Sequence, residues 1–495
     1  MDSYIKKFKN ILEKTSIKTQ EARIRLNEKN SNLFFRDFIL KGNSEYALEH
    51  YDKRVSSIKK IIKCKKIIKN NIEEIRSENK LNRLSENLEN GIEIVYIFIE
   101  NEMLSFDIFE SINSKKLELS LADLMKNLLF KKCKDVSEGK YVKAEEKWCE
   151  IIDLFDPCKE DISNFLKTYW SSKNAIVRGK KFYKEFKRSG FFKKTKDPLE
   201  LIQDMLDYAK IYKNIIEPDG KYWGNGRNAK KIIRSLKDLN YLNIKTCRPL
   251  LLQIAKTIKD DKKISEMFQK IEILSFVSLT LFKDRPPKYE IFYSKKAFEL
   301  YKSKHKIKKL NEIDREMNKK IIIYFKKFEH FVYDKQFTNN KEVTYILYKI
   351  LKEKMGTNLL TSWLGIEDIR DSSVEHVMPQ KGLSKWKDLI KNILKEDEMQ
   401  SKYKNLSFKE KLELYKTDYC YLLGNMALLT KIDNNETSDK TFEEKKEIYK
   451  KTEKNNHLFK NYILNKDMWT YKEIQENTEI LTKELKEILF RIFNN

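Results

Sequence analysis

One dipeptide in the chain joins a carboxylate to an imidazole, and two amide side chains follow it. Glu375 directly precedes His376, Asn425 comes 49 residues after His376, and Asn434 comes nine residues after Asn425. An imidazole can take a proton from water, because its pKa lies near neutrality. Carboxylate and amide oxygens are hard ligands that could hold one Mg²⁺ or Mn²⁺ and leave positions open for phosphate and water. This combination suits a one-metal phosphodiesterase.

The surrounding sequence predicts the elements that would hold these residues. Glu375 and His376 lie in a short apolar segment, 374–378, which reads as a strand, and Asn425 lies in a second predicted strand, 421–430. A polar loop carrying Asn434 and a charged helix at 442–452 complete the order. Only this part of the sequence combines two short strands, a polar loop and a helix.

The other histidines and the cysteines give no comparable pattern. His50, His305, His330 and His457 lie in Lys-rich helical contexts, where a surface or packing role is expected. The six cysteines form no C-x-x-C pair and lie at no zinc-finger spacing from a histidine. We therefore expect reduced thiols in a cytoplasmic chain, with no signal peptide and no membrane span.

The rest of the chain predicts a mainly α protein. Gly and Pro number only 12 and 7 among 495 residues, which argues against an all-β fold with many tight turns. Apolar residues at helical spacing predict further helices, and residues 92–100 predict one buried strand. The main predicted helices cover 51–75, 162–170, 175–187, 199–216, 315–334, 343–355 and 469–493. We expect domains at 1–128, 129–330 and 331–495.

The net charge favours a polyanionic partner. Lys plus Arg number 101 and Asp plus Glu number 75, which gives a formal charge of +26. Nucleic acid is the partner that such a charge suits best. The alternative is compositional bias, since the chain is rich in Lys, Asn and Ile together.

Several segments carry a resemblance to a known family. Glu375–Gln380, Leu423–Leu429, Asn434 and Phe442–Lys446 together resemble the HNH (His-Me finger) nuclease domain of GmrSD-type modification-dependent restriction enzymes. The Glu-His-hydrophobic-x-Pro-Gln run and the nine-residue step between the asparagines also resemble the HNH domain of CRISPR effector nucleases. Residues 109–113 and 119–127 are similar to the end of the ParB-like domain in the GmrSD family.

The resemblance implies a fold and a role for each predicted site residue. It implies a C-terminal ββα-metal (HNH) nuclease domain embedded in helices, after helical N-terminal and middle regions. His376 would be the general base, and Glu375 and Asn434 would be ligands of a single Mg²⁺ or Mn²⁺.

The remaining motif residues would support this site. Asn425 would belong to the catalytic residues in a structural role, because it would brace the ββα loop through hydrogen bonds. Lys445 falls at a recurrent family lysine, where either a phosphate contact or an ordinary solvated lysine is possible. Pro379 and Gln380 belong to the motif, and we expect them to shape a turn.

The sequence also departs from the family. The ParB-like region normally carries an Asp-Gly-Gln-Gln-Arg nucleotide-site motif, which this chain lacks, and no Walker-type Gly-rich loop is present. The resemblance therefore implies a separate ParB-like nucleotide-binding subunit that docks on residues 1–128. The leading hypothesis is a metal-dependent DNA endonuclease of an anti-phage, restriction-like system. A non-catalytic helical nucleic-acid-binding or assembly subunit and an RNase remain as alternatives.

Overall fold

The described part of the chain is mainly helical with one small sheet, which confirms the prediction of a mainly α protein. In this computed structural model the described residues are 29–51, 56–74, 78–91, 121–155, 162–174, 176, 181–193, 195, 197–355, 372–381, 383–453 and 457–494. The chain divides into two compact units, one of residues 1–170 with 177–213 and one of residues 171–176 with 214–495. The boundaries predicted after residues 128 and 330 stay predictions.

The first unit is built from helices alone in its described residues. The α-helices as far as the end of this unit are Lys29–Phe35, Ser44–His50, Ser56–Glu74, Glu78–Asn90, Leu121–Lys134, Glu138–Phe155, Ile162–Lys173, Lys181–Arg188, Gly190–Lys193 and Pro198–Ile216, with a π-helical turn at Arg36–Leu40. The predicted strand at 92–100 lies outside the described residues, and so does most of the ParB-like resemblance at 109–127.

The second unit places a two-stranded sheet among helices. Its α-helices are Gly220–Trp223, Arg227–Tyr241, Arg248–Thr257, Asp261–Ser275, Pro286–Lys302, Lys306–Phe325, Phe328–Tyr333, Asn340–Met355, Lys387–Ile393, Asp397–Lys402, Phe408–Tyr419, Lys431–Thr437, Phe442–Glu453 and Tyr471–Asn494. The strands are β1, Ser372–His376, and β2, Met426–Thr430. Short 3₁₀ or π segments lie at Phe276–Leu281, Leu383–Trp386, Leu423–Asn425 and Phe459–Ile463.

Local sequence signals explain several helix boundaries. Pro286 stands at the first position of its helix, where its missing N–H costs nothing and its fixed φ suits helical backbone. Ser407 caps the helix Phe408–Tyr419 in a reciprocal capping box with Glu410. The helix predicted at 315–334 is divided near residue 326, between Lys306–Phe325 and Phe328–Tyr333.

The sheet pairs two segments that lie far apart in the chain. β1 and β2 run antiparallel, with Ser372 opposite Thr430 and His376 opposite Met426. Every residue of β2 except Thr430 is buried, so the sheet lies in the core of its unit. Within the described residues, no helix is long and apolar enough to cross a membrane.

Candidate active site

Glu375 and His376 close β1, and strand geometry sends their side chains to opposite faces of the sheet. Both side chains are buried, with relative exposures of 4% and 8%. The two residues therefore meet different neighbours, although they are adjacent in the sequence.

The carboxylate of Glu375 is held by three donors from the two helices that follow β2. Its Oε1 accepts hydrogen bonds from Lys445 Nζ at 2.8 Å and from Tyr449 Oη at 2.6 Å. Its Oε2 accepts from Thr437 Oγ1 at 2.9 Å. Lys445 and Tyr449 are four residues apart and so lie on one face of the helix Phe442–Glu453.

Lys445 occupies a position different from the predicted phosphate contact. Its side chain is 0% exposed, and its Nζ donates both to Glu375 and to the carbonyl oxygen of His376, each at 2.8 Å. Burial lowers the pKa of Lys445, and the carboxylate of Glu375 opposes that shift. Because the ammonium faces Glu375 and not solvent, it does not reach a phosphate in this arrangement.

Asn434 lies on a short helix, Lys431–Thr437, and not in the loop that its polar neighbours predicted. Its Nδ2 donates to Ser373 Oγ at 2.9 Å and to the carbonyl oxygen of Val374 at 3.3 Å. Its Oδ1 is buried and has no hydrogen-bond partner among the described residues. The helix thus fastens Asn434 to β1, beside the dipeptide that carries Glu375.

Thr437 connects Asn434 with Glu375. Its hydroxyl lies 2.9 Å from Glu375 Oε2 and 2.8 Å from the carbonyl oxygen of Asn434. A hydroxyl has one proton to donate, so Thr437 can serve one of these acceptors at a time. Glu375 Oε2 can therefore lose this donor without leaving the hydroxyl unpaired.

His376 faces Gln380 across the turn that follows β1. Gln380 Nε2 lies 2.9 Å from His376 Nε2 and 3.4 Å from Nδ1, and the ring of Tyr421 meets the imidazole edge-on at 6.0 Å between centroids. Burial, together with the nearby charge of Lys445, lowers the pKa of His376 to about 4. The imidazole is therefore neutral at pH 7. A hydrogen bond from the Gln380 amide to Nε2 leaves the ring proton on Nδ1.

Asn425 is enclosed completely and supports the same turn. Its Oδ1 accepts from Met378 N at 2.7 Å and from Trp469 Nε1 at 2.9 Å. Its Nδ2 donates to the carbonyl oxygens of Met378 at 3.0 Å and Cys420 at 2.9 Å. These four bonds use the whole hydrogen-bonding capacity of the amide. Asn425 therefore has no polar atom left for a substrate, and its contacts are those of a bracing residue.

Gly424 lets the segment before β2 approach the last helix, Tyr471–Asn494. Its N–H donates to Thr478 Oγ1 at 3.0 Å. A Cβ at this position would lie 2.1 Å from the carbonyl oxygen of Ile474 and 2.4 Å from Thr478 N. Since both are backbone atoms of a packed helix, only glycine fits here.

The sequence predicted most residues of this site but not several of their hydrogen-bond partners. Thr437, Tyr449 and Trp469 hold the predicted residues in place, and none of them was a candidate. The i,i+4 step from Lys445 to Tyr449 is a signal that could have placed Tyr449 on the same face. Buried Pro379 lies within the turn between His376 and Gln380, where the motif predicted a turn.

This geometry lies within a segment that matches a known family. Residues 319–484 match the family model of the C-terminal domain of GmrSD restriction endonucleases. The match supports a GmrSD-type nuclease. The match confirms the GmrSD-type resemblance over these residues, which are about a third of the 495. A GmrSD-type domain supports a restriction-type endonuclease. No curated protein matched the chain.

Proposed function

We propose that the GmrSD-type domain is the catalytic part of a metal-dependent DNA endonuclease in an anti-phage, restriction-like system. The observation that carries this proposal is the attachment of Asn434 to β1. Its amide bonds to Ser373 and Val374, the two residues that precede Glu375. This contact places Asn434, which is 60 positions from Val374 in the sequence, beside the strand that ends with Glu375 and His376.

Glu375 and Asn434 would hold a single Mg²⁺ or Mn²⁺. The buried Oδ1 of Asn434 has no partner in the described residues, and Glu375 Oε2 accepts only the exchangeable hydroxyl of Thr437. Both atoms are hard oxygens, which these ions prefer. When bound, the ion would polarise the phosphate and stabilise the charge that develops during hydrolysis.

Lys445 limits the affinity of this site for a cation. Its ammonium neutralises much of the charge on Glu375, so the carboxylate attracts a cation less strongly than a free one would. The described residues contain no cluster of three His, Cys, Asp or Glu side chains that could hold a metal. We therefore expect weak binding in which water and substrate supply most ligands, as is common for Mg²⁺.

His376 would act as the general base. The imidazole is neutral at pH 7 and can accept a proton from the attacking water at Nε2 once the Gln380 amide yields that atom. Gln380 would first orient the ring and fix the proton on Nδ1. General-base assistance of this kind contributes roughly 10²–10⁴ in rate.

Cleavage assays with the full chain test this proposal. Supercoiled plasmid is incubated with wild type in EDTA, Mg²⁺ or Mn²⁺, and Asn434→Ala is compared with wild type across a metal titration. We expect cutting only with a divalent ion. Asn434→Ala should raise the metal requirement more than it weakens folding, since it also loses the bonds to Ser373 and Val374. Metal-independent cutting, or a collapsed melting temperature with an unchanged metal requirement, would contradict the ligand assignment.

One observation favours the non-catalytic alternative, a helical nucleic-acid-binding or assembly subunit. Glu375 is already neutralised by Lys445, as expected for a carboxylate with a structural role. Absence of cutting on any substrate, together with intact DNA binding, would support that alternative. Cutting of RNA but not DNA under the same conditions would support the RNase alternative.

We also propose that a separate ParB-like nucleotide-binding subunit works with this chain. The support is the resemblance of residues 109–113 and 119–127 to the end of a ParB-like domain. Co-expression followed by size-exclusion chromatography should give a complex of the two chains. A lone monomer with full, regulated activity would contradict this arrangement.

A further inference from the structure

The helix Ser56–Glu74, called here the lysine helix, has two opposite faces. Ile58 is buried with Phe34, Phe38 and Ala47 in a small hydrophobic cluster, and Ile61 and Ile62 pack against it. Lys65 lies on the same side, where its Nζ donates to the carbonyl oxygen of Phe38 and to Ser44 Oγ, each at 2.8 Å. This face attaches the helix to its unit.

The other face of the lysine helix is rich in exposed lysines. Lys59, Lys60, Lys63 and Lys66 are exposed, and none has an ion pair with another described residue. Steps of four and three residues place Lys59, Lys63 and Lys66 in one stripe, which spans about 10 Å at 1.5 Å per residue. By contrast, several lysines of the second unit, such as Lys296 and Lys349, are paired with carboxylates.

The order of basic and acidic residues along the lysine helix destabilises this helix. Lysines three and four residues apart repel each other. The basic residues begin near the N-terminus, the positive end of the helix dipole, while the only acidic residues, Glu73 and Glu74, stand at the C-terminus. An anion beside the stripe would relieve the repulsion between the lysines.

We propose that the lysine helix binds the phosphate backbone of duplex DNA without reading its sequence. This inference rests on the proposed function, because it takes the partner to be the nuclease substrate. Lysine side chains act as point charges toward phosphate and carry no base readout, so they position DNA and do not select its sequence. Each phosphate contact releases counterions and makes affinity depend on salt.

The test compares two quadruple variants of equal charge in the His376→Ala background, which prevents cleavage during binding measurements. One variant is K59Q/K60Q/K63Q/K66Q. The control is K295Q/K304Q/K319Q/K326Q, which removes four exposed lysines of the second unit. Fluorescence anisotropy with a 30-base-pair duplex follows the affinity from 50 to 200 mM salt.

We expect the control to keep the salt dependence of the parent chain. If three to four phosphate contacts are lost, the parent should lose roughly 40–150-fold more affinity over this salt range than the lysine-helix variant. Equal slopes for the two quadruple variants would overturn the proposal, because the charge would then act only as a diffuse field. Lysine-dependent binding to phosphatidylserine vesicles, without lysine-dependent binding to the duplex, would also overturn it.

Cleavage by the wild-type chain is measured separately. A chain that binds DNA through the lysine helix but never cuts would refute the proposed function and leave this inference standing. If cleavage is normal but the lysine-helix variant keeps the salt dependence of DNA binding seen in the parent chain, the inference alone is refuted.

Discussion

The buried pair of Lys445 and Glu375 gives the sharpest prediction about how the site is held together. Lys445→Met keeps the aliphatic part of the side chain but leaves the carboxylate with only the hydroxyls of Tyr449 and Thr437. Removal of one partner from a buried ion pair destabilises a protein by about 3–5 kcal/mol, because the remaining charge stays buried without compensation. We expect Glu375→Gln to cost a similar amount, since it leaves the ammonium uncompensated.

The double variant separates the pair from its neighbours. Glu375→Gln with Lys445→Met removes both charges. The new amide can accept from the Tyr449 hydroxyl through its oxygen and donate to the Thr437 oxygen through its nitrogen. Since a buried ion pair is often replaced by uncharged residues at little cost, the double variant should be more stable than the two single costs predict when added. We expect a coupling energy of roughly 1–3 kcal/mol.

Lys450→Met supplies the matched control on the same helix. Lys450 pairs with Glu447 at 2.6 Å, but both side chains are more than half exposed, so the variant should cost less than about 0.5 kcal/mol. Thermal unfolding in EDTA, followed by circular dichroism, compares the four variants with wild type. At roughly 1.5–2 °C per kcal/mol for a unit of this size, Lys445→Met should lower the midpoint by at least ~4 °C. Equal midpoints for Lys445→Met and Lys450→Met would refute the claim that burial makes the Lys445–Glu375 pair costly to break. If the costs of Lys445→Met and Glu375→Gln simply add up in the double variant, the two residues do not act as a pair.

Three further predictions concern the supports of the site. Gly424→Ala should destabilise the chain by at least about 1–3 kcal/mol through its clash with the last helix, whereas Gly139→Ala, which meets open space, should leave the melting temperature nearly unchanged. Asn425→Ala should cost at least ~3 kcal/mol in urea unfolding, because it leaves buried groups of Met378, Trp469 and Cys420 unpaired; a cost below 1 kcal/mol would count against the bracing role. The pKa of His376 is about 4 in the folded chain, against an ordinary value of 6.5. In EDTA, the stability that the neutral imidazole contributes is therefore present above pH 6.5, and it should fall by about 3 kcal/mol as the pH decreases to 4. His376→Gln should remove that pH dependence, and a variant that keeps it would assign the titration elsewhere.

Local patterns predicted the helices well, because each depends on neighbours within one or two turns. Spacing placed helices at 162–170, 199–216 and 343–355, close to Ile162–Lys173, Pro198–Ile216 and Asn340–Met355. One local signal was missed. Thr430 and Asp433 form a capping motif, with the Thr430 hydroxyl accepting from Asp433 N, and this motif starts the helix that carries Asn434.

The polar partners of the site could not be predicted in the same way. Lys445 and Glu375 are separated by 70 positions, and nothing in the Lys-rich sequence around Lys445 distinguishes it from its solvated neighbours. Its burial depends on where the helix Phe442–Glu453 packs, which is a tertiary property. The contact of Gln380 with His376 depends likewise on the turn at Pro379, whose conformation Asn425 fixes from another part of the chain.

The most direct test of the central claim is single-turnover cleavage of plasmid DNA by wild type, His376→Ala and His330→Ala, prepared in parallel with Mg²⁺ or Mn²⁺. His330 is highly exposed and lies outside the site, so it controls for the loss of a histidine as such. The account predicts a roughly 10²–10⁴-fold lower rate for His376→Ala and an unchanged rate for His330→Ala. Cleavage by His376→Ala at the wild-type rate would contradict the assignment of His376 as the base.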